Sequence, residues 1–368
     1  MYFLFLIIVT VQVILCFVFV SILGSILPCS LPFCCSKIID ILVGLLFARI
    51  SFPITKKLLL SKRIKPDDKA VFITGCDHGF GHMLAKKLDS EGFYVYASCL
   101  YPSGPGATDL RQKSSNRLKI LELDVTRDES VQKAVEFVKA DLKSLKLWAI
   151  VNNAGILKGI SIELTELRDF KDCMEVNLFG VIRVTKAFLP LLRRSKGRIV
   201  NITSLGGRVA PCHLSAYTVS KFAASGLTDC LRRELDVWGI HVISIEPEMF
   251  QTPIADFGAA SKRMDETFAS LDASIKEDYG VEYFDKFKKF AGEYAFISSE
   301  KIYKVIDDLE SAITLEHPST VYRSSRNIIT QMIAIIAQNL PTDILDFIIK
   351  ISLFFINAPV PKRTKDYF

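Results

Sequence analysis

The chain runs 368 residues, 50% of them apolar, with a formal net charge of +6; that length suits one large domain with appendages or two small ones. Its 46 basic residues are interspersed with 40 acidic ones and form no long Lys/Arg block, which speaks against a nucleic-acid partner. The nine cysteines show neither Cys-x-x-Cys zinc spacing nor a disulfide framework, so no metal site is expected and a reducing compartment is.

Met1 to Ser36 carries no charged residue. Its apolar core, Tyr2 to Leu27, exceeds the roughly 20 residues that span a bilayer. A cleaved signal peptide would want a basic start and an apolar run of about 7–15 residues, so 1–60 reads as an uncleaved membrane anchor. A second apolar segment, Ile38 to Ile54, contains Asp40 and Arg49; it lies in the interface or completes a hairpin. Lys56, Lys57, Lys62, Arg63 and Lys65 follow, a basic cluster that should stay on the cytosolic side. Cys34 and Cys35 read as palmitoylation sites or as buried apolar cysteines.

From Ala70 the pattern changes to strands alternating with helices, which predicts a doubly wound, mostly parallel sheet with helices on both faces, in a domain spanning 66–325. Expected strands are Ala70–Thr74, Tyr94–Ser98, Leu118–Leu123, Leu147–Val151, Arg198–Ile202 and His241–Ile245. Expected helices are Phe80–Ser90, Ser130–Leu145, Phe170–Arg194 and Ser215–Val237, with a Pro/Gly loop at Tyr101–Gly106. After Pro247 the alternation is lost until a last strand at Ser319–Tyr322.

Thr74-Gly75-Cys76-Asp77-His78-Gly79-Phe80-Gly81 sits between the first strand and the first helix. There, glycines let the backbone approach a pyrophosphate, and the helix N-terminus offers unpaired N–H groups to the anion. Asn152-Asn153-Ala154-Gly155 ends the fourth strand, where doubly wound sheets bind ligands; the bland reading is an Asn-Gly turn. Asn177 lies inside a helical pattern that disfavours asparagine, so it either holds a water near the catalytic groups or bonds to neighbouring backbone. Tyr217 and Lys221 stand four apart on one helix, facing the same way. An ammonium beside a phenol favours the phenolate, so Lys221 is expected to lower the Tyr217 pKa and make it a proton donor and acceptor near neutrality. Ser204 ends the preceding strand turn and is positioned to hold a substrate oxygen.

Taken together, these motifs make the stretch from about Ala70 to Thr252 resemble the short-chain dehydrogenase/reductase family. Thr74-Gly-Cys-Asp-His-Gly-Phe-Gly81, Ala97-Ser-Cys-Leu100, Leu123-Asp-Val-Thr126 and Phe188-Leu-Pro-Leu-Leu192 resemble in particular the branch of microsomal retinol, hydroxysteroid and D-3-hydroxybutyrate dehydrogenases. The resemblance implies that Tyr217 is the general acid/base, that Lys221 lowers its pKa and binds the nicotinamide ribose, that Ser204 holds the substrate oxygen and that Asn177 supports a water. It implies a dinucleotide held by Thr74, Gly75, Gly79, Phe80, Gly81, Asp124, Val125, Asn153, Ala154, Gly155, Tyr217, Lys221 and Thr252, with Asp124 at the adenine and Thr252 at the carboxamide. Oligomers are usual in this family, and the microsomal branch implies an endoplasmic-reticulum membrane with the catalytic domain facing the cytosol.

Two positions depart from the family pattern. Cys99 stands where a carboxylate often grips the NAD ribose, with no Arg or Lys nearby in sequence to favour a 2′-phosphate. Asp77 should repel such a phosphate, so NAD is expected over NADP. Pro247-Glu248 replaces the usual Pro-Gly. Asn201-Ile202-Thr203 is a glycosylation sequon on an expected core strand and is rejected as a glycan site. His213, four before Tyr217, lines the substrate pocket or is an ordinary loop histidine.

Beyond Pro253, Phe257, Met264, Phe268 and Leu271 fall near helical spacing and read as a lid or as core. Ile328 to Ala358 is apolar but carries Asp343, Asp346 and Lys350 and is broken at Pro341. The region 326–368 therefore reads as two amphipathic helices lying on a membrane, with a dimer contact or a wall of the substrate entrance as the alternative. The whole predicts a membrane-anchored NAD-linked oxidoreductase of a steroid, sterol or retinoid alcohol. A 3-hydroxybutyrate-type dehydrogenase and a non-catalytic lipid-binding scaffold are the alternatives.

Overall fold

Short runs of β-branched and aromatic residues pair into a single parallel sheet. In the computed structural model, residues 2–26, 59–255, 257–296 and 298–364 are described, with isolated positions between 40 and 56. The strands are β1 (Lys69–Ile73), β2 (Tyr94–Cys99), β3 (Leu118–Glu122), β4 (Lys146–Asn152), β5 (Arg198–Ile202), β6 (His241–Ile245) and β7 (Val321–Tyr322). Their order is β3-β2-β1-β4-β5-β6-β7, and every pairing is parallel. Ala70, Val71, Phe72 and Ile73 are all fully buried, as a strand covered by helices on both faces requires.

Among the described residues, the connecting helices are α2 (Gly79–Ser90), α3 (Pro105–Lys113), α4 (Asp128–Asp141), α5 (Leu167–Met174) running on into α6 (Val181–Ser195), and α7 (Ser215–Glu234). On one face, Phe188 of α6 packs on Phe72 of β1 with ring centroids 4.3 Å apart, within a core that also holds Leu147, Ile150 and Ile199. Fully burying one such side chain contributes about 1.5–3 kcal/mol. The strand order reverses between β1 and β4, so their carboxyl ends open the crevice in which such sheets bind ligands.

Two expectations need correction. The stretch Tyr101–Gly106 is not simply a loop: Gly104 caps a helix and Pro105 opens it, a position where the missing N–H costs nothing. The helix expected over Phe170–Arg194 is interrupted by a π-helical turn at Glu175–Gly180 that contains Asn177. Past Pro247, where the strand–helix alternation lapses, the chain is helical: α8 (Phe257–Ser270), α9 (Ala273–Tyr279), α10 (Val281–Phe296) and α11 (Tyr303–Thr314) precede β7. Fully buried Arg198 anchors α11, donating through Nη1 to the Ala312 and Ile313 carbonyls at 2.8 and 2.9 Å, a cation at a helix C-terminus. The two C-terminal helices appear as expected, α12 (Ile328–Ala337) and α13 (Thr342–Phe355), divided at Pro341.

The described chain divides into two units, 1–64 with 314–317, and 65–313 with 318–368. In the first, α1 (Tyr2–Ile26) carries no charge, and its Phe19 stacks on Phe47 at 4.1 Å. Thr55 donates to the Gln12 side-chain oxygen at 3.3 Å. The described side chains of α1 run from 7 to 22, and among the described residues no helix is long and apolar enough to cross a membrane. Cys29, Cys34, Cys35 and most of 38–54 lie outside the described residues.

Candidate active site

The crevice is built first from the ends of β1 and β4. The Thr74 hydroxyl accepts from the Asn153 and Ala154 backbone N–H groups, each at 2.9 Å. The Asn153 amide in turn donates to the Thr74 and Gly75 carbonyls, both at 2.8 Å. These bonds close the strand ends on one another and fix the turn that leads into α2. Gly75 has φ +70°, and a Cβ there would come 2.9 Å from the Ala154 Cα. A Cβ on Gly81 would come 2.6 Å from the Gly75 carbonyl oxygen. Both positions therefore require glycine, and they leave exposed backbone at a helix N-terminus, the surface a pyrophosphate needs. The residues present fit a dinucleotide.

Around that turn, Phe80 meets Phe250 edge-on at 6.2 Å, and a Cβ on Gly79 would lie 3.8 Å from the Thr252 Cβ, which places Thr252 at the same rim. At the end of β3 the Asp124 carboxylate accepts from the Thr126 N–H at 2.9 Å and its hydroxyl at 2.7 Å, while Val125 packs against Gly180. Asp77 does more than sequence reasoning assigned to it. Its two carboxylate oxygens accept from the Leu100 and Tyr101 N–H groups, each at 2.9 Å, which sets a negative charge at the end of β2 beside buried Cys99.

The residues expected to be catalytic gather where β5, α7 and the π-turn meet. The Lys221 ammonium lies 5.7 Å from the Tyr217 ring centroid and donates to the Ile202 carbonyl at 2.9 Å. Asn177 is buried and makes three hydrogen bonds: its side-chain oxygen accepts from the Ile156 N–H, and its amide donates to the Ile156 carbonyl and to the Ser220 hydroxyl, all at 2.9 Å. The Ser220 hydroxyl donates to the Tyr217 carbonyl at 2.7 Å. A Cβ on Gly155 would sit 3.2 Å from the Asn177 oxygen and 3.7 Å from the Lys221 nitrogen, so Gly155 borders both groups. The π-turn accounts for an asparagine within a helix, because the widened turn turns its side chain into this network. Ser220 and the Ile202 carbonyl were missed in the sequence, where no spacing rule marks either.

The electrostatics differ from expectation. Burial pushes the Tyr217 phenol up, and the Ser204 hydroxyl against it works the other way. Burial pulls the Lys221 ammonium down to about 8. The expected lowering of Tyr217 by Lys221 is absent because the ammonium is spent on a carbonyl while the phenol loses its solvent. Ser204 itself accepts from the Gly206 N–H at 3.0 Å, which aims its hydroxyl from the start of the loop after β5.

That loop is locked from below. Glu246, 2% exposed, accepts from Arg208 Nε at 2.8 Å, and the Arg323 guanidinium lies 3.3 Å from its other oxygen. Glu248, in place of the usual glycine, accepts from the Arg326 side chain at 3.0 Å and from its backbone N–H, tying the end of β6 to the chain after β7. Asn201 is buried in β5 and donates to Thr228 at 2.9 Å, so its sequon is closed to a glycan.

A parallel sheet with a glycine cradle at its switch point, beside a Ser–Tyr–Lys–Asn cluster, defines a dinucleotide-dependent oxidoreductase of the doubly wound class. The chain belongs to the short chain dehydrogenase family, whose profile matches residues 69–262. It is 40% identical over 301 residues to estradiol 17-beta-dehydrogenase 2 of Mus musculus, covering 81% of this chain and 78% of that one. It is 40% identical over 255 residues to retinol dehydrogenase 7 of Mus musculus, covering 69% and 80%. With mitochondrial D-beta-hydroxybutyrate dehydrogenase of Bos taurus the identity is 38% over 285 residues, covering 76% and 83%. A short-chain dehydrogenase/reductase from Burkholderia phymatum, solved in complex with NAD, shares the fold with TM-score 0.59 at 20% identity, over 76% of this chain and 98% of that one. The protein is thus an oxidoreductase of alcohol and ketone groups in the hydroxysteroid, retinol and hydroxybutyrate branch, and its fold binds a nicotinamide dinucleotide.

Proposed function

We propose that this chain is a membrane-anchored, NAD-linked dehydrogenase of a lipophilic secondary or allylic alcohol, a steroid, sterol or retinoid. The observation that carries the reading is the convergence of Ser204, Tyr217, Lys221 and Asn177 at the rim of a cradle that admits only glycine. The bound cofactor supplies hydride chemistry between the substrate carbon and the nicotinamide. Ser204 holds the substrate oxygen against the Tyr217 phenol, which gives or takes its proton. Lys221 carries the positive charge that stabilises the phenolate once its ammonium turns from the Ile202 carbonyl toward the phenol and the ribose. Asn177 keeps the β4 loop and α7 in register and supports a water in the proton path. Asp124 contacts the adenine and Thr252 the carboxamide.

Asp77 supports NAD over NADP, because a carboxylate held at the end of β2 would repel a 2′-phosphate brought there. The uncharged N-terminal run supports a membrane anchor at the endoplasmic reticulum, with the catalytic domain toward the cytosol. The C-terminal helices support a second membrane contact: Ile329 and Ile333 of α12 and Phe347 and Phe354 of α13 are each at least 60% exposed. A hydroxy acid substrate, suggested by the bovine relative, would need a fixed cation in the pocket. Lys158, on the loop after β4, is held by Asp172 at 2.6 Å and by Asp169 at 3.6 Å.

The test is NADH formation by membranes bearing the protein, across sterols, steroids, retinol and 3-hydroxybutyrate, with NADP in parallel. Turnover of a lipophilic alcohol with NAD favoured supports the reading. Turnover of hydroxybutyrate alone overturns the substrate class, and NADP preference overturns the role given to Asp77. Cofactor binding with no turnover of any alcohol returns the scaffold alternative.

A further inference from the structure

The N-terminal unit is built inside out. Gln12 of α1 is 5% exposed, whereas Val13 and Phe17 of the same helix are 62% and 73% exposed. A helix pair in water would turn phenylalanine inward and glutamine outward. The reverse order suits hydrocarbon, where an amide needs a protein partner and apolar side chains need none.

Gln12 finds its partners on a second segment. Its amide donates to the Ser51 hydroxyl and, at 3.5 Å, to the Ala48 carbonyl, while its oxygen accepts from the Thr55 hydroxyl at 3.3 Å. Ser51 in turn donates to the Phe47 carbonyl at 2.7 Å. Further along α1, Phe19 stacks on Phe47 with centroids 4.1 Å apart, and a Cβ on Gly44 would lie 3.4 Å from the Val20 side chain. The partners run back from Thr55 to Gly44 as α1 advances from Gln12 to Val20, which is antiparallel order. The described positions between 40 and 56 are all helical. Gly44, Phe47, Ala48, Ser51 and Thr55 fall at helical spacing on one stripe, as Gln12, Phe19 and Val20 do on α1. Gly44-x-x-x-Ala48 and Ser51-x-x-x-Thr55 set small residues four apart on that stripe, the pattern that lets helices approach closely in a membrane. The same unit ends on a short antiparallel pairing of 62–64 with 314–316: the Ile64 N–H donates to the Thr314 carbonyl and the Glu316 N–H to the Lys62 carbonyl, both at 2.8 Å.

We propose that α1 and residues 40–56 form an antiparallel helical hairpin in the membrane, locked by Gln12, so that the amino end of α1 and the catalytic domain lie on one side of the bilayer. A single span would satisfy the anchor proposed above but would put those two ends on opposite sides; the hairpin rests on that anchor and narrows its form. A hairpin enters and returns, so neither arm has to cross. Lys56, Lys57, Lys62, Arg63 and Lys65, at the end of the second arm, set the shared side as the cytosolic one. In a single span the Gln12 amide would face lipid; in the hairpin both its nitrogen and its oxygen are satisfied within the protein.

The test uses the full chain in sealed microsomes, with an epitope tag before Met1. Alkaline carbonate extraction reports insertion, and protease added outside reports the side of the tag and of the catalytic domain. The hairpin predicts a chain retained in the carbonate pellet, with tag and domain both cleaved without detergent. Retention with one of the two cleaved and the other protected overturns the hairpin and leaves the anchor standing. Release by carbonate overturns anchor and hairpin together. Packing is read separately, by copper-phenanthroline oxidation of Phe19→Cys paired with Phe47→Cys and detection of the linked peptides. That pair should cross-link. Ile8→Cys paired with Phe47→Cys should not, because in antiparallel arms its sites are offset by about 16 Å. Absence of the first link, or equal linking of both pairs, overturns the register. Adding Gln12→Leu should lower the yield of the first link about threefold or more; an unchanged yield overturns the part given to Gln12.

Discussion

The two halves of the catalytic domain are held together by different physics. From β1 to β4 the cofactor side is closed by short backbone and amide bonds: Thr74 with Asn153 and Ala154, and Asn153 with Gly75. Beyond β6 the side expected to take the substrate depends on apolar packing and on buried ions: the aromatic cluster of α8 and α10, and Glu246 between Arg208 and Arg323. A dinucleotide is the same ligand in every enzyme that uses it, so its cradle is rigid and fixed at particular residues. A substrate pocket tolerates many side chains provided that area and a few polar groups are right. Tyr217 and Lys221 stand at the seam, on a helix that touches both.

The sharpest way to break this comparison is Lys221→Met. Turnover should fall by about a hundredfold or more, since the phenol loses its cation. The apo protein should nevertheless gain stability at pH 7, because a buried ammonium whose pKa is pulled from 10.5 to about 8 destabilises the fold wherever it stays charged. Between those values the unfolded chain binds more protons than the folded one, so wild-type stability rises with pH from about 8 to 10.5. Urea titrations should therefore show an advantage of up to about 3 kcal/mol for Lys221→Met at pH 7 that shrinks at pH 10. A variant less stable at pH 7 contradicts the electrostatic account.

Glu246→Gln probes the other half. It leaves two guanidinium groups beside a neutral amide and should cost about 3 kcal/mol in chemical denaturation. It should also lower kcat more than it raises the KM for NAD, because Arg208 holds the loop that carries Ser204. Gly81→Ala presses a methyl toward the Gly75 carbonyl and should weaken NAD binding about tenfold by calorimetry, with a stability loss of about 1–3 kcal/mol. The smallest change is expected at the periphery. Ile333→Asp with Phe347→Asp should lower vesicle co-sedimentation of the full chain while leaving turnover of a detergent-solubilised substrate intact. Unchanged vesicle binding would remove the C-terminal membrane contact.

Legibility followed the same division. The strands β1 to β6 are legible as short apolar runs, and Thr74 to Gly81 as a glycine turn in a strand–turn–helix setting, because these are local patterns. Asn177 was marked as anomalous by helix propensity, but its reason, a π-turn and a bond to Ser220, needs chain 43 residues away. The Tyr217 phenol was expected to fall and instead rises, since desolvation depends on what surrounds it and spacing records only its neighbours on one helix. The Pro-Glu at 247–248 showed as a departure, while its partner Arg326 lies 78 residues on. Of the helices past Pro247, α8 shows in the spacing of Phe257 to Leu271, while α10 does not, because its apolar face packs on α8 and the loop after β4 rather than on the sheet.

The most direct test of the central claim follows the atom transferred. An alcohol deuterated at its carbinol carbon is incubated with NAD and either the wild-type protein or Tyr217→Phe, and the reduced cofactor is read by mass spectrometry. The account predicts deuterated NADH from wild type, and at least about a hundredfold less from Tyr217→Phe, which loses at most one hydrogen bond to the dinucleotide and binds NAD within about tenfold of wild type. Equal labelling by both proteins would contradict the role of Tyr217. Loss of NAD binding in Tyr217→Phe would mean that the phenol builds the cofactor site rather than moving the proton.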